Sequence, residues 1–332
     1  MARGDDGGAA RFLRRATTLL ALVATLALVV GLSPALFALT VVFDLATGAR
    51  FATTRGLFMV LVYLAYELMG VLIATAIWLR GGDAERQLDA NFRLQWWWAG
   101  GLFDWTRAIF GLRVETRGVE CARGGPVFVL SRHASVADTL LAAALLSRPY
   151  GLRLRYVLKR ELLWDPCLDI VGRRVPNAFV QRGSRDTAGD VAAVRGLAEN
   201  LGPRDGVMIF PEGTRATPAM RARVLEKIES SPTATVEQRE AARRLAHVLP
   251  PRLEGVLALL DADARADVIF MAHRGFESVR SLADLRRGSL VGQHVTVSLW
   301  RCPRAEIPED RDGRVRWLNA QWQRVDDEVG AG

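Results

Sequence analysis

His133 and Asp138 stand five positions apart in the stretch Ser131-Arg132-His133-Ala134-Ser135-Val136-Ala137-Asp138. A carboxylate on one imidazole nitrogen fixes the tautomer, and the other nitrogen can then take a proton from an attacking hydroxyl. That is the division of labour between base and orienter in acyl-transfer sites. Five residues of straight helix rotate by about 140° net, so the two side chains cannot share a helix face. They meet only if His133 lies in a strand-to-helix turn and Asp138 in the first helical turn. A plainer reading exists: Ser135-Val136-Ala137-Asp138 is itself an S-x-x-D capping pattern. In a chain with four histidines, His-x-x-x-x-Asp arises by chance in roughly one such sequence in four, so the pair alone assigns nothing.

The second chemical stretch is Phe210-Pro211-Glu212-Gly213-Thr214-Arg215, at the end of an apolar run. Ligands of α/β proteins gather at such strand ends. Pro211 stops the ladder, Gly213 permits a tight backbone path past a ligand, and Arg215 has the fork geometry that suits a phosphate. Glu212 is expected to hold Arg215 or to contact a substrate hydroxyl. A polar turn after a strand is the bland alternative.

The elements that must position these residues follow from residue 111 onward. Apolar runs at 126–130, 179–180, 206–210, 267–271 and 294–300 predict strands, and 137–146 and 191–200 predict helices. Such alternation argues an α/β domain with a largely parallel or mixed sheet flanked by helices. Thr235-Val236-Glu237-Gln238 is a capping box that should open a helix reaching about Val248. Its Arg239, Arg243 and Arg244 suit lipid or coenzyme phosphates, or simply a solvated face.

Ahead of this domain lie two apolar stretches. Residues 17–43 carry no charge, and residues 56–79 carry only Glu67. Each exceeds or matches the roughly 20 residues that cross a bilayer core. They predict an N-terminal two-helix membrane hairpin, residues 1–82, with a turn at 44–55. Arginines flank its two outer ends more densely than its turn, which places the catalytic part on the cytoplasmic side. A shallow hairpin in one leaflet fits the same sequence. Pro34 should kink or break the first helix. Glu67 reads as a substrate-pathway residue or as a carboxyl bonded to a neighbouring helix. Residues 83–110, with Trp96, Trp97, Trp98 and Trp105, are expected to be an interfacial linker, and 111–332 the catalytic domain with a helical tail.

The chain has 332 residues, half of them hydrophobic, and a net charge of +8. That charge suits anionic partners, and the apolar N-terminus selects lipid over nucleic acid. The three cysteines are scattered and form no zinc or disulfide pattern.

A histidine with an aspartate five positions on, followed by Pro-Glu-Gly-Thr-Arg, resembles the paired signature of the lysophospholipid acyltransferase superfamily, which includes the 1-acylglycerol-3-phosphate acyltransferases. The resemblance covers roughly residues 111–329. Lys159-Arg160-Glu161-Leu162 resembles the family's Lys-x-Glu-Leu element, and Phe179-Val180-Gln181-Arg182 its second block. Three further pieces resemble the branch containing lysocardiolipin acyltransferases: residues 212–217, Val248-Leu249-Pro250-Pro251-Arg252-Leu253-Glu254-Gly255, and Ile307-Pro308-Glu309-Asp310 before Trp317-Leu318. Two departures stand out. Arg132 replaces a frequent asparagine, and Leu253-Glu254 replaces a Thr-Lys pair, both at positions bordering substrate recognition.

The resemblance implies a membrane-bound O-acyltransferase with His133 as base and Asp138 as its orienter. It implies phosphate binding by Arg215, Arg182 and Lys159, and an acceptor site shaped by Glu212, Gly213 and Thr214. The donor would be acyl-CoA or acyl carrier protein, the acceptor a lysophospholipid, with no metal and no bound cofactor. The foremost acceptor is 1-acylglycerol 3-phosphate, giving phosphatidic acid. Lysocardiolipin, glycerol 3-phosphate or an amino-acid lipid remain open, as does a non-catalytic lipid-binding protein on the same fold.

Overall fold

A computed structural model describes residues 7–135, 137–180, 187–232, 234–279 and 282–331. Seven strands form one sheet: β1 (Arg113–Arg117), β2 (Val127–Ser131), β3 (Arg153–Lys159), β4 (Ala178–Val180), β5 (Asp205–Ile209), β6 (Asp267–Arg274) and β7 (His294–Cys302). Their order is β1-β7-β6-β2-β5-β3-β4. Every neighbouring pair is parallel except β6 with β7. The sheet is therefore mixed and mostly parallel, as the alternating pattern predicts.

The helices are α1 (Gly8–Thr47), α2 (Ala52–Arg80), α3 (Ala84–Phe110), the single turn α4 (Arg148–Tyr150), α5 (Pro166–Val171), α6 (Thr187–Leu197), α7 (Pro218–Glu229), α8 (Val236–Arg244), α9 (Leu253–Ala262), α10 (Leu282–Arg286) and α11 (Arg311–Gly330). Strand β2 is buried along its whole length, as a central parallel strand must be. Its alternate residues feed two cores. Val127 and Val129 pack towards α3 with Leu102, Phe103 and Phe110. Phe128 and Leu130 pack on the other face with Leu197 of α6, Leu259 of α9 and Trp322 of α11.

Three local expectations resolve differently. The predicted helix over 137–146 begins as a 3₁₀ turn at Ala137–Leu140 and widens into a π-turn at Ala143–Ser147. Its start is tight because the Asp138 carboxylate turns back to accept from the backbone N–H of Ala134 and Ser135. The capping box at Thr235 and Gln238 forms, yet its helix stops at Arg244. Pro34 sits inside α1 without ending it. The carbonyl of Val30, which Pro34 cannot satisfy, accepts instead from the Ser33 hydroxyl at 2.7 Å. Residues 84–110 form one continuous helix along which Trp97 stacks on Tyr66 of α2 at 4.6 Å between centroids, and Trp98 and Trp105 meet Tyr63 and Phe58 of α2 edge-on.

Helices α1 and α2 are long and apolar enough to cross a membrane. The turn between them is shorter than expected, because Asp44, buried near the end of α1, accepts from the backbone N–H of Thr53 and Thr54 at the start of α2. Glu67 is bonded to neighbouring elements: it accepts from Trp98 Nε1 at 2.9 Å and from the Cys167 backbone at 3.0 Å.

Candidate active site

Strands β2 and β5 run parallel and adjacent, with Leu130 level with Ile209. Their following loops therefore leave the same edge of the sheet side by side. One carries His133, the other Glu212 to Arg215. Although about eighty residues apart in sequence, the two stretches are neighbours for this topological reason alone.

His133 lies in the turn after β2, where its Nδ1 is 3.0 Å from Asp138 Oδ1. The other oxygen, Oδ2, accepts from Ala134 and Ser135 N–H at 2.6 and 2.7 Å. Asp138 thus closes the turn and holds the imidazole at once, so the capping and the orienting readings describe the same carboxylate. It is fully buried, while the imidazole keeps slight exposure. Accepting the Nδ1 proton leaves His133 Nε2 as the basic nitrogen. One face of the ring stacks on Phe210 at 4.4 Å.

The second loop is bonded to this turn at two points. His133 N–H donates to Glu212 Oε2 at 2.6 Å, and Ala216 N–H donates to the His133 carbonyl at 2.7 Å. Glu212 Oε1 accepts from Leu249 N–H at 2.9 Å. Glu212 therefore uses both oxygens on backbone donors, and neither on Arg215. Burial pushes its carboxyl up to about 8, against the two N–H groups that favour the carboxylate. Gly213 has a φ of +68°, a conformation that strains any residue with a Cβ. Thr214 is half-buried and Arg215 is exposed.

Lys159 is the exposed last residue of β3. Strands β3 and β5 are parallel, so Lys159 ends its strand at the same edge of the sheet from which the Pro211 loop leaves. Arg182 lies outside the described residues. The structure thus brings His133, Asp138, Glu212 and Gly213 into one bonded unit, while Lys159 and Arg215 are exposed where β3 and β5 end.

Two residues lie behind the unit, His273, which carried no clear signal in the sequence, and Arg132, which stood out there only as a departure. His273, on β6 and fully enclosed, has its Nε2 3.0 Å from the Arg132 carbonyl and 3.5 Å from Asp138 Oδ2. Burial lowers its pKa, more than Asp138 raises it. Arg132, expected to border substrate recognition, is buried instead. Its guanidinium donates to the carbonyls of His273 and His247 and pairs with Glu277. Burial is the largest single influence on Glu277 and works to raise it, but the Arg132 charge and hydrogen bond together with backbone N–H groups outweigh it and hold that carboxyl below its ordinary range. Arg132 and His273 bond each other's carbonyls, which fixes the backbone on the residue before His133. A lone histidine in an apolar strand reads as core, and only the β2–β6 pairing places it behind Asp138.

Residues 113–249 match the protein family described as Acyltransferase. The chain is 26% identical over 212 residues to the 1-acyl-sn-glycerol-3-phosphate acyltransferase epsilon of Mus musculus, covering 60% of this chain and 56% of that protein. It is 34% identical over 110 residues to a 1-acyl-sn-glycerol-3-phosphate acyltransferase of Pseudomonas aeruginosa, covering 33% and 40%. The chain spans about half the length of the curated relatives it matches. The crystal structure of the 1-acyl-sn-glycerophosphate (LPA) acyltransferase PlsC from Thermotoga maritima superposes with a TM-score of 0.52 over 84% of this chain and 98% of its own, at 15% identity. That likeness is one of fold.

Proposed function

We propose that this protein moves a fatty acyl group from a thioester, acyl-CoA or acyl carrier protein, to the free hydroxyl of 1-acylglycerol 3-phosphate, giving phosphatidic acid. The observation that carries the reading is the His133 Nδ1–Asp138 Oδ1 pair at 3.0 Å, held in one turn with the Glu212–Ala216 loop. A lipid-binding protein has no need of an imidazole oriented in this way. The acyltransferase-family match over residues 113–249 supports the reaction class, and the names of both relatives support the acceptor.

In the reaction, His133 Nε2 takes the proton of the acceptor hydroxyl as its oxygen attacks the thioester carbonyl carbon. The carbon–sulfur bond then breaks, and the proton passes from Nε2 to the departing thiolate. Asp138 stabilises the imidazolium between these steps and stays ionised. Lys159, Arg182 and Arg215 hold the acceptor phosphate, and Thr214 lines the acceptor site. Glu212 and Gly213 shape the loop.

The same reading puts α1 and α2 in the membrane with the catalytic domain on its cytoplasmic face. Near its start, α1 is fastened to the domain by Arg14 and Arg15, both paired with buried Asp169 of α5. Near its end, Phe43 lies under Arg286, and the Ala49 carbonyl abuts Gly288. A hairpin tied to one domain near both ends lies along that domain in one leaflet, rather than carrying its turn across.

The test is transfer of labelled oleate from oleoyl-CoA to lysophosphatidic acid by the full-length protein in detergent. Transfer that depends on an intact His133 is expected. A His133→Ala protein that still turned over substantially would remove the base assignment, and silence of the wild type with a panel of lysolipids and acyl carrier protein would remove the reaction.

A further inference from the structure

The segment Leu249-Pro250-Pro251-Arg252 runs across the Phe210–Arg215 loop and is bonded to it twice. Leu249 N–H donates to Glu212, as above, and Arg252 N–H donates to the Pro211 carbonyl at 2.8 Å. The two prolines between fix their own φ angles, so the segment is stiff where it crosses. The Arg252 guanidinium then lies over the bare Cα of Gly213: a Cβ there would come within 2.4 Å of Arg252 Nε and 2.6 Å of Cζ. Gly213 is glycine for two reasons, its φ and this close approach.

Arg252 is exposed, and among the described residues its guanidinium has no carboxylate or carbonyl partner. The acidic residue two positions on, Glu254, is engaged with Arg311. Elsewhere in the domain many arginines are paired: Arg132 with Glu277, Arg155 with Asp205, Arg301 with Asp267. Arg215 is likewise without a partner among the described residues. Two unneutralised guanidinium groups therefore belong to one loop crossing, Arg215 two residues after Gly213 and Arg252 on top of it. That loop is bonded to both the N–H and the carbonyl of His133. Paired forks of this kind match the oxygens of a phosphate dianion.

We propose that Arg252 is a further phosphate-binding residue of the acceptor site, closing with Arg215 on a phosphomonoester group. The acceptor assignment rests on the acyl-transfer reading. The ligand chemistry does not, since coenzyme A carries a phosphomonoester of its own at the ribose 3′ position.

The experiment uses full-length protein in detergent with His133→Ala as background, so that bound ligands are not consumed. Equilibrium binding of lysophosphatidic acid, 1-monoacylglycerol, coenzyme A and dephospho-coenzyme A is compared with Arg252 intact, Arg252→Ala and Arg252→Lys. Arg252→Ala should bind lysophosphatidic acid at least tenfold more weakly, Arg252→Lys should regain part of that loss, and monoacylglycerol and both coenzymes should be unaffected. Unchanged lysophosphatidic acid binding in Arg252→Ala overturns the proposal. So does a loss shared with monoacylglycerol, because a phosphate contact leaves that ligand untouched. Weakening confined to coenzyme A and absent with its dephospho form overturns it too, in favour of the donor phosphate. Turnover of the His133-intact protein is measured alongside: lysophosphatidic acid bound through Arg252 but never acylated would defeat the acyl-transfer reading and leave this one standing.

Discussion

The backbone N–H of His133 donates to Glu212 Oε2 at 2.6 Å. This bond joins the two chemical stretches of the chain and gives Glu212 a different task from the one its sequence neighbours suggest. It does not hold Arg215; it sets the position of the histidine. Glu212→Gln has one oxygen for two backbone donors, so its amide must face an N–H at His133 or at Leu249. A buried donor left unpaired costs about 1–3 kcal/mol. The expected outcome is a lower unfolding temperature and a fall of at least about tenfold in kcat, with KM for the acceptor little changed. A rise in KM alone, measured by steady-state kinetics, would instead mark Glu212 as a substrate contact.

The same carboxyl makes stability depend on pH in a stated direction. Burial raises Glu212 from its ordinary 4.5 to about 8. Between those values the folded protein holds a proton that the unfolded chain has released, so stability falls as pH rises through the window. The slope is at most about 1.4 kcal/mol per pH unit from this group. Denaturant unfolding from about pH 5 to pH 8 should show a decline in the wild type that is shallower in Glu212→Gln. Equal slopes in the two proteins would mean that Glu212 stays ionised throughout.

Asp138→Asn separates orientation from simple capping. With its oxygen kept on the Ala134 and Ser135 N–H groups, the asparagine presents its NH₂ to His133 Nδ1, which must then be the unprotonated nitrogen. The proton moves to Nε2, where the base is needed. The expected loss in kcat is about 10³–10⁴-fold, the scale such a tautomer error produces in triads. Lysophosphatidic acid binding should persist, because Asp138 has no exposed surface to offer a ligand.

Much of this geometry was legible in the sequence because it rests on apolar runs. Strands β2, β5, β6 and β7 are such runs, and parallel pairing of β2 with β5 was enough to bring His133 beside Glu212. Strands β1 and β3 were not legible, since Arg113, Arg117, Arg153 and Arg155 interrupt their pattern. In β3 the arginines are tolerated because Arg153 reaches Glu85 and Asp89 of α3, and Arg155 reaches Asp205 of β5. Those partners are distant in sequence. The same limit hid the Arg132–His273 exchange and the seat of Arg252 on Gly213: each depends on which loop crosses which, and no local spacing encodes that.

Gly213→Ala probes that crossing. A residue with a Cβ held at φ +68° carries about 1–2 kcal/mol of backbone strain, and the added methyl also displaces the guanidinium of Arg252. Stability should fall by the strain alone, because an arginine side chain can swing aside. KM for lysophosphatidic acid should rise more than kcat falls. In the Arg252→Ala background the further effect of Gly213→Ala on KM should shrink, a coupling that a double-mutant cycle measures. Fully additive effects would separate the two residues.

Glu67 decides how the apolar hairpin is held. Its carboxyl accepts from Trp98 on α3 and from the Cys167 backbone on α5, while Tyr63, one turn earlier on α2, donates to Asp165 just before α5. These contacts pin α2 to the catalytic domain far from the His133 turn in sequence. Glu67→Leu leaves the Cys167 N–H and the Trp98 indole N–H without an acceptor, at about 1–3 kcal/mol each. Hydrogen exchange should accelerate at residues 165–171, and limited proteolysis should cut there sooner. Turnover per folded molecule should hold within about twofold, since nothing that touches His133 has changed. A selective rise in acceptor KM, with residues 165–171 still protected, would show that Glu67 lines the route of the substrate rather than the joint.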